Sequence, residues 1–563
     1  MKVRVPMMIQ DPITAKYKGM RQVEGFDIKH EDFFLDGPVT RRVAVLDFDA
    51  DTGDLMRGAR FKPPAPGRVL GTYEIADEND IYAPDFGQVS VFATVVKTMY
   101  MFEEEDALGR RLAWAFDGPQ LLIIPRAGQW DNAYYERDSH SLQLFYFTNP
   151  HNPGEMIYTS LSRDIVAHET GHAILDGIAP ELYNSMTPQS LALHEAIADL
   201  TALLMAFRSG TLRETVLDQT GGSIRNSTAF SSIAEEFGMA RNPEGGSLRS
   251  LLNEKTLGPD DANRVARNDP HALSEVLSGA LYAVMVEIHE GLRREYVEGD
   301  PDREFSVSGK ALADGADRFK RMIFRALDYL PPGEVSFADY GRAIIAADQA
   351  SHPDDTQERE WICDQFVTRQ MVANREALQV ETNFEHPALK EVDLETLVES
   401  DWAAYEFANR NRDLLGVPQE VPFQIWPRLD VTKLYYQRDG KRKIRECLFK
   451  VSWDQSEANQ LGRRFPDRRQ ITVGTTLAVD WDTRMIRALL RSDHSDRPQE
   501  QQKQQEDRDR MLRRLGDEGL MRLGPLAIGP DGKELRSVVR ADSANGLMRV
   551  RGVARTLHIV REV

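Results

Sequence analysis

The pentapeptide His168-Glu169-Thr170-Gly171-His172 constrains this chain more than any other stretch of it. On a helix it sets two imidazoles one turn apart on a single face, with a carboxylate beside them. Ile165, Val166, Ile174 and Leu175 flank it at positions that a helix turns toward a core. Two histidines are only half of a zinc site, and by themselves they describe an ordinary solvated helix face. The fold has to bring a further ligand to them.

That ligand is offered by Leu193-His194-Glu195-Ala196-Ile197-Ala198-Asp199-Leu200. Glu195 supplies a third ligand, and two histidines with one acid leave a position open for water, as a catalytic zinc requires. Asp199, at i+4 from Glu195, is placed to accept the free N–H of a ligating histidine and so fix its tautomer. Ala196, Ile197, Leu200, Ala202, Leu203 and Leu204 make this segment mostly apolar, so its acids are expected to be buried and partnered, not spread over a wet surface. Glu169, left out of the ligand set, reads as a general base.

With these residues in place, the sequence resembles the thermolysin-like gluzincin metallopeptidases from roughly Val91 to Ala377, and further segments fall in that family's order. Asn132-Ala133-Tyr134-Tyr135 is similar to the family's edge strand, and Ser247-Leu248-Arg249-Ser250 to the segment whose arginine binds a substrate carbonyl. Tyr183 stands where the family keeps a tyrosine, and Asp269-Pro270-His271, with Ser274 and Tyr282 behind it, where it keeps a late histidine. The resemblance implies that Tyr183 and His271 stabilise the oxyanion, and that Asn132, Ala133 and Arg249 position a peptide as an added strand. It also implies that Leu248 and Ile165 wall the pocket after the scissile bond, favouring an apolar residue there. The expected function is a zinc-dependent endopeptidase with one Zn2+ per chain, ligated by His168, His172 and Glu195. The alternative is a non-catalytic peptide-binding or scaffold protein on a peptidase fold.

Several positions depart from the family pattern. His194 replaces the usual asparagine before the zinc glutamate, and Glu275 replaces a glycine near His271. The Asn184–His194 loop is three residues longer than the usual form. Asp164 matches a calcium ligand, but Ala206 stands where another acid is expected and Arg208 to Thr215 holds only Glu214. Calcium is therefore not expected.

The balance of charge is uneven. From Asp401 to Val563 there are 31 Lys/Arg against 24 Asp/Glu, which leaves 39 against 65, or −26, in residues 1–400. An acidic body argues against a nucleic-acid partner, and a peptide or protein substrate is expected, with a possible protein partner through the basic C-terminal region. The sequence shows no signal segment and no uninterrupted run of 18 apolar residues. With only Cys363 and Cys447, far apart, the expectation is a cytoplasmic protein with reduced thiols and no membrane contact. Only about 90 residues precede the matching region, so latency, if any, has to come from elsewhere than a long folding pro-segment.

The expected fold class is α+β: a two-lobed, thermolysin-like arrangement of a mixed α/β lobe with an edge strand and then an all-helical lobe, plus a C-terminal β-rich domain. Residues 1–90 read as an N-terminal strand and loop region, 91–390 as the peptidase domain, 391–496 as the β-rich domain, 497–525 as a polar helix or linker and 526–563 as a hairpin. Leu142 to Phe147 reads as one strand, and Asp51-Thr52-Gly53 as a turn with a return strand. Arg438-Asp439-Gly440-Lys441 and Asn545-Gly546 are hairpin turns. Met511, Leu512 and Leu515 lie in a polar stretch that could be cut by this enzyme or another protease.

Overall fold

The computed structural model describes residues 2–13, 19, 21–49, 52–77, 79–226, 229–241, 247–258, 263–266, 269–297, 304–352, 356–437, 440–523, 539–544 and 546–552. It is mixed α+β, 42% helical and 22% strand. Strands β1 (Lys2–Met8), β2 (Val23–Ile28), β4 (Phe61–Lys62) and β5 (Leu70–Tyr73) form a sheet of order β2-β1-β5-β4, while β3 (Val43–Val45) joins a second sheet. Val3, Val5 and Met7 alternate inward along β1 and pack on α1 (Pro84–Glu103). The periodic pattern suggests a helix from Val91. It begins seven residues earlier because Pro84 occupies the first helical position, where its missing N–H costs nothing. The turn expected at Asp51 lies partly outside the described residues, and the return pairing is a single bridge between Phe48 and Leu55.

The second sheet has the order β3-β6-β8-β7, built with β6 (Leu121–Ile124), β7 (Ala133–Glu136) and β8 (Ser141–Leu144). β3, β6 and β8 run parallel, and β7 lies antiparallel to β8 at the sheet's edge, from Ala133 opposite Leu144 to Glu136 opposite Ser141. The strand expected from Leu142 to Phe147 is broken at Phe145. β9 (Tyr146–Thr148) turns away to pair with β10 (Met156–Tyr158), and Tyr146 instead donates its N–H to the Gly128 carbonyl at 3.1 Å.

α2 (Arg163–Ile178) starts at Ser162, whose hydroxyl accepts the Ile165 N–H at 3.3 Å, a standard way to satisfy a helix's first donors. The short α3 (Glu181–Asn184) leads to α4 (Pro188–Phe207), apolar on all sides and buried along nearly its whole length. α2 and α4 touch where Gly171 faces Ala198: a Cβ there would stand 3.1 Å from the Ala198 Cα and the Thr201 Oγ1. The glycine of the histidine motif thus permits the approach that brings Glu195 to the histidines. α5 (Gly210–Gln219), β11 (Ser232–Ile233), α6 (Glu235–Arg241) and β12 (Arg249–Ser250) follow, with β11 antiparallel to β12. Four helices complete the body: α7 (Pro270–Val297), α8 (Glu304–Tyr329), α9 (Phe337–Ser351) and α10 (Gln357–Thr368). α4 and α7 are long and apolar enough to cross a membrane, but both pass through the core.

The segment after residue 391 does not begin as sheet. α11 (Leu394–Glu399), α12 (Asp401–Arg410) and α13 (Arg412–Leu415) come first, the first two initiated by the side chains of Asp393 and Ser400, which accept helix N–H groups. Strands then dominate. β13 (Phe423–Ile425) and β14 (Leu429–Gln437) pair with successive parts of the long β15 (Gly440–Ala458), which pairs with β16 (Arg468–Asp480), itself flanked by β17 (Ile486–Arg491). The stretch read as polar helix or linker is α14 (Pro498–Asp517), and Met511, Leu512 and Leu515 are buried in the main core. That corrects the expectation of an exposed, cleavable linker: the three apolar residues share one face of the helix, and burying that face outweighs the polar composition of the rest. β18 (Met521–Leu523), β19 (Val539–Ala544) and β20 (Leu547–Gly552) close the sheet, β19 and β20 forming the second expected hairpin around Gly546, with Asn545 outside the described residues.

The tail docks on the helical body through the buried segment Leu330–Ser336. Thr476 donates to the Leu330 carbonyl at 2.8 Å and Ser492 to the Pro332 carbonyl at 2.7 Å. On the other side of the same segment, Ser190 of α4 donates to the Val335 carbonyl at 2.9 Å and accepts its N–H at 3.0 Å. Charged pairs reinforce the contact: Asp328 lies 2.7 Å from Arg110 and 3.0 Å from Lys433, and Arg508 holds Glu334. His494 lies 2.9 Å from Asp339, which also completes a capping box with Ser336 at the start of α9.

Burial opposes a charge on His494, but Asp339 outweighs it and lifts the imidazole above its usual range. Against the same cost of burial, His494 and Arg342 hold Asp339 well below the carboxylate range. The histidine's contribution is therefore complete below about pH 6.5 and is lost as pH rises through its raised value, while that of Asp339 is present above about pH 4 and is lost only in stronger acid. Urea denaturation of wild type is expected to show stability declining above about pH 6.5, with a shallower decline in His494→Gln and a loss of about 3 kcal/mol in that variant near neutrality. Parallel pH profiles for the two proteins would remove the pair from the account.

Candidate metal centre

α2 presents His168 and His172 on one face, and α4 presents Glu195 and Asp199 toward them. The Nε2 atoms of His168 and His172 lie 3.0 Å apart, and Glu195 places its carboxylate oxygens 3.6 Å from the first and 3.5 Å from the second. Metal bonds of 2.0–2.1 Å in a tetrahedral shell separate neighbouring ligand atoms by about 3.3 Å, so this triangle has the size a zinc ion needs. All three residues are buried, and Glu195 Oε1 has no hydrogen-bond partner, an arrangement that a bound cation satisfies. His168, Glu169 and His172 also bring ligand atoms within 4.8 Å of one another, but Glu169 accepts the Tyr135 N–H at 3.0 Å. Glu195, whose two carboxylate oxygens lie 3.6 Å and 3.5 Å from the His168 and His172 Nε2 atoms, is the better candidate for a third ligand.

Around this triangle lie the groups that orient it. Asp199 is 3.0 Å from His168 Nδ1, the nitrogen turned away from the triangle. His172 Nδ1 lies 2.8 Å from Nδ1 of His194, whose ring packs against Tyr183 with centroids 4.1 Å apart. The sequence marks His194 only as a departure from an expected asparagine; the structure gives it a partner on the second imidazole. Its own Nε2 is buried without one. Arg249 reaches Glu195 at 2.8 Å and Asp199 at 2.9 Å. In this state the residue expected to meet a substrate carbonyl neutralises the acids of the site. His271, at the start of α7, brings Nε2 to 3.7 Å from Glu195 Oε1.

The electrostatics follow from burial. It pushes the Glu169 carboxyl up to about 8, the direction that makes a carboxylate a stronger base. It pushes His172 down and His194 well down, keeping both rings neutral. Burial works against the charge on Glu195 as well, but His271, Arg249 and the two ligand histidines outweigh it and hold this carboxyl well below its usual range.

A small cleft opens beside the triangle, lined by Asn132, Ala133, Ile165, His168, Glu169, Glu195, Ile233, Ala234, Phe237, Leu248, Arg249 and His271. The edge strand β7 borders it, and Asn132 spends its side-chain oxygen on the Ala133 N–H at 2.8 Å. Tyr183 is not part of the lining: its hydroxyl is buried and unpartnered. Ile233, Ala234 and Phe237 give no signal in the sequence, because a short strand followed by a seven-residue helix carries no periodicity that separates a cleft wall from core. Asp164, the residue compared with a calcium ligand, receives the Gln10 side-chain N–H at 2.7 Å, and the acid-poor position Ala206 is buried.

Compared with known proteins, the sequence matches no protein-family profile and no curated relative.

Titration of metal-free protein with Zn2+ against a competing chromogenic chelator is expected to reveal one tight site. His194→Leu is expected to weaken it about 10- to 100-fold, the range found when the hydrogen-bond partner of a ligand is removed, with His194→Asn recovering most of the loss. Equal affinities in the two variants would detach His194 from the site.

Proposed function

We propose that the protein is a zinc-dependent endopeptidase on a thermolysin-like, two-lobed scaffold. The observation that carries this reading is the convergence of His168, His172 and Glu195 from two helices, with a fourth buried group, Glu169, adjacent to the triangle yet held outside it by a backbone N–H. A pure binding module has little use for that carboxyl.

Peptide hydrolysis needs an activated water, a polarised carbonyl and a protonated leaving amine. When bound, zinc lowers the pKa of water toward about 7 and polarises the carbonyl. The chain's residues divide the remaining work. Glu169, with its carboxyl raised by burial, takes the proton from water and delivers it to the amine nitrogen. His271 Nε2 faces the same space as the Glu195 oxygen and donates to the developing oxyanion. Tyr183, kept protonated by burial, serves the same oxyanion only after a side-chain movement that frees its hydroxyl. Asp199 and His194 keep the two imidazoles turned so that their Nε2 atoms face the metal position.

Substrate lies along the edge strand, where main-chain pairing grips an extended peptide without reading much of its sequence. Ile165, Ile233, Phe237 and Leu248 make the adjacent wall apolar, which favours an apolar side chain after the scissile bond. Arg249 can turn to a substrate carbonyl once a divalent cation takes over the neutralisation of Glu195.

Incubation of the zinc-loaded protein with a denatured protein mixture, followed by mapping of new termini, is expected to give cuts preceding apolar residues. Glu169→Gln is expected to retain zinc and lose at least about 100-fold in rate, and His271→Ala about 100-fold. Intact substrates after incubation with zinc-loaded wild type would favour the reading as a peptide-binding protein.

A further inference from the structure

One ion pair joins the two walls of the cleft. Asp131 directly precedes Asn132 on the edge-strand side, while Arg241 ends α6, one turn beyond Phe237 on the opposite wall. Arg241 lays its guanidinium over the Phe237 ring, 5.0 Å from the centroid, and reaches across to the Asp131 carboxylate at 2.7 Å and the Asp131 carbonyl at 3.1 Å. The contact thus bridges the residue ahead of Asn132 and the end of the helix that carries Phe237, two residues of the cleft lining.

α6 is fixed by its core packing. Its base is pinned: the buried Asp11 carboxylate accepts the Glu236 N–H at 3.0 Å, and a Cβ at Gly238 would stand 2.2 Å from the Leu248 nitrogen, so helix and pocket wall meet with no side chain between them. At its far end Ala240 is buried in the core, and the Asp131–Arg241 pair, with side chains 41% and 35% exposed, adds a bridge to the edge-strand side. Exposed ion pairs contribute little and are screened by salt. With the helix fixed by its core packing, only the two exposed side chains have to part for such a bridge to open.

We propose that the Asp131–Arg241 pair is a latch that sets substrate class, admitting thin extended chains, such as short peptides and unfolded segments, and resisting constrained loops. The inference rests on the peptidase reading above and adds to it a specificity element that touches no reacting atom.

The test compares kcat/KM for a linear peptide spanning one mapped cleavage site with that for the same sequence closed into a loop by a disulfide, using full-length zinc-loaded protein. Arg241→Ala and Asp131→Ala are each expected to raise the looped-to-linear ratio about two- to fivefold, and the double exchange Asp131→Arg with Arg241→Asp to return it toward wild type. Added salt should raise the ratio in wild type and leave it flat in the single variants. An unchanged ratio in both single variants, with the linear peptide still cut, would overturn the latch and leave the peptidase reading intact. If no variant and no wild-type sample cuts the linear peptide, the peptidase reading fails and takes the latch with it.

Discussion

The close packing of α2 on α4 is the contact from which the candidate site follows. Gly171 leaves room for Ala198, and that approach draws two imidazoles and two carboxylates into a water-poor layer. Charges in such a layer persist only with partners. Each partner is present: Asp199 beside His168, His194 beside His172, Arg249 between Glu195 and Asp199, and the Tyr135 N–H on Glu169. Glu195 Oε1, 3.5 Å from the His172 Nε2, is among the buried polar atoms left without a hydrogen bond. A buried carboxylate oxygen without a donor is costly unless something positive lies beside it, and this oxygen is where a cation would be drawn in.

Much of this was legible in the chain itself, and for identifiable reasons. The i, i+4 spacing of His168 and His172 survives any change of tertiary context because helix geometry sets it. Glu195 and Asp199 stood out because acids in an apolar helix need a reason to be there. His194 was visible as a residue but not as a partner, since nothing local says which side chain a neighbouring helix will bring to it. Phe237 and Ile233 were not legible at all: they form a cleft wall only because β11 pairs with β12, a pairing of two residues whose register depends on the loops around it.

The tail shows the opposite bias. Its hairpins announced themselves through turn residues, whereas α11 to α13 and the buried face of α14 did not. Three large apolar residues near the end of a glutamine- and arginine-rich run look incidental in sequence, and they acquire meaning only because the helical body and the closing strands offer a surface to receive them. Polar composition described the exposed side of that helix correctly and concealed the side that holds it in place.

The segment Leu330–Ser336 is gripped from both directions, by Ser190 of the glutamate-bearing helix and by Thr476 and Ser492 of the tail. Ser185, just after Tyr183, also donates to the Gly333 carbonyl at 3.4 Å. The tail is therefore a wall of the scaffold that braces the turn ahead of α4, the helix that carries Glu195, not an appendage carried alongside. Shortening the chain before β13 would strip the Thr476 and Ser492 donors from the buried Leu330 and Pro332 carbonyls, so trimming to a minimal core would undermine the candidate site from behind while leaving His168, His172 and Glu195 in the sequence.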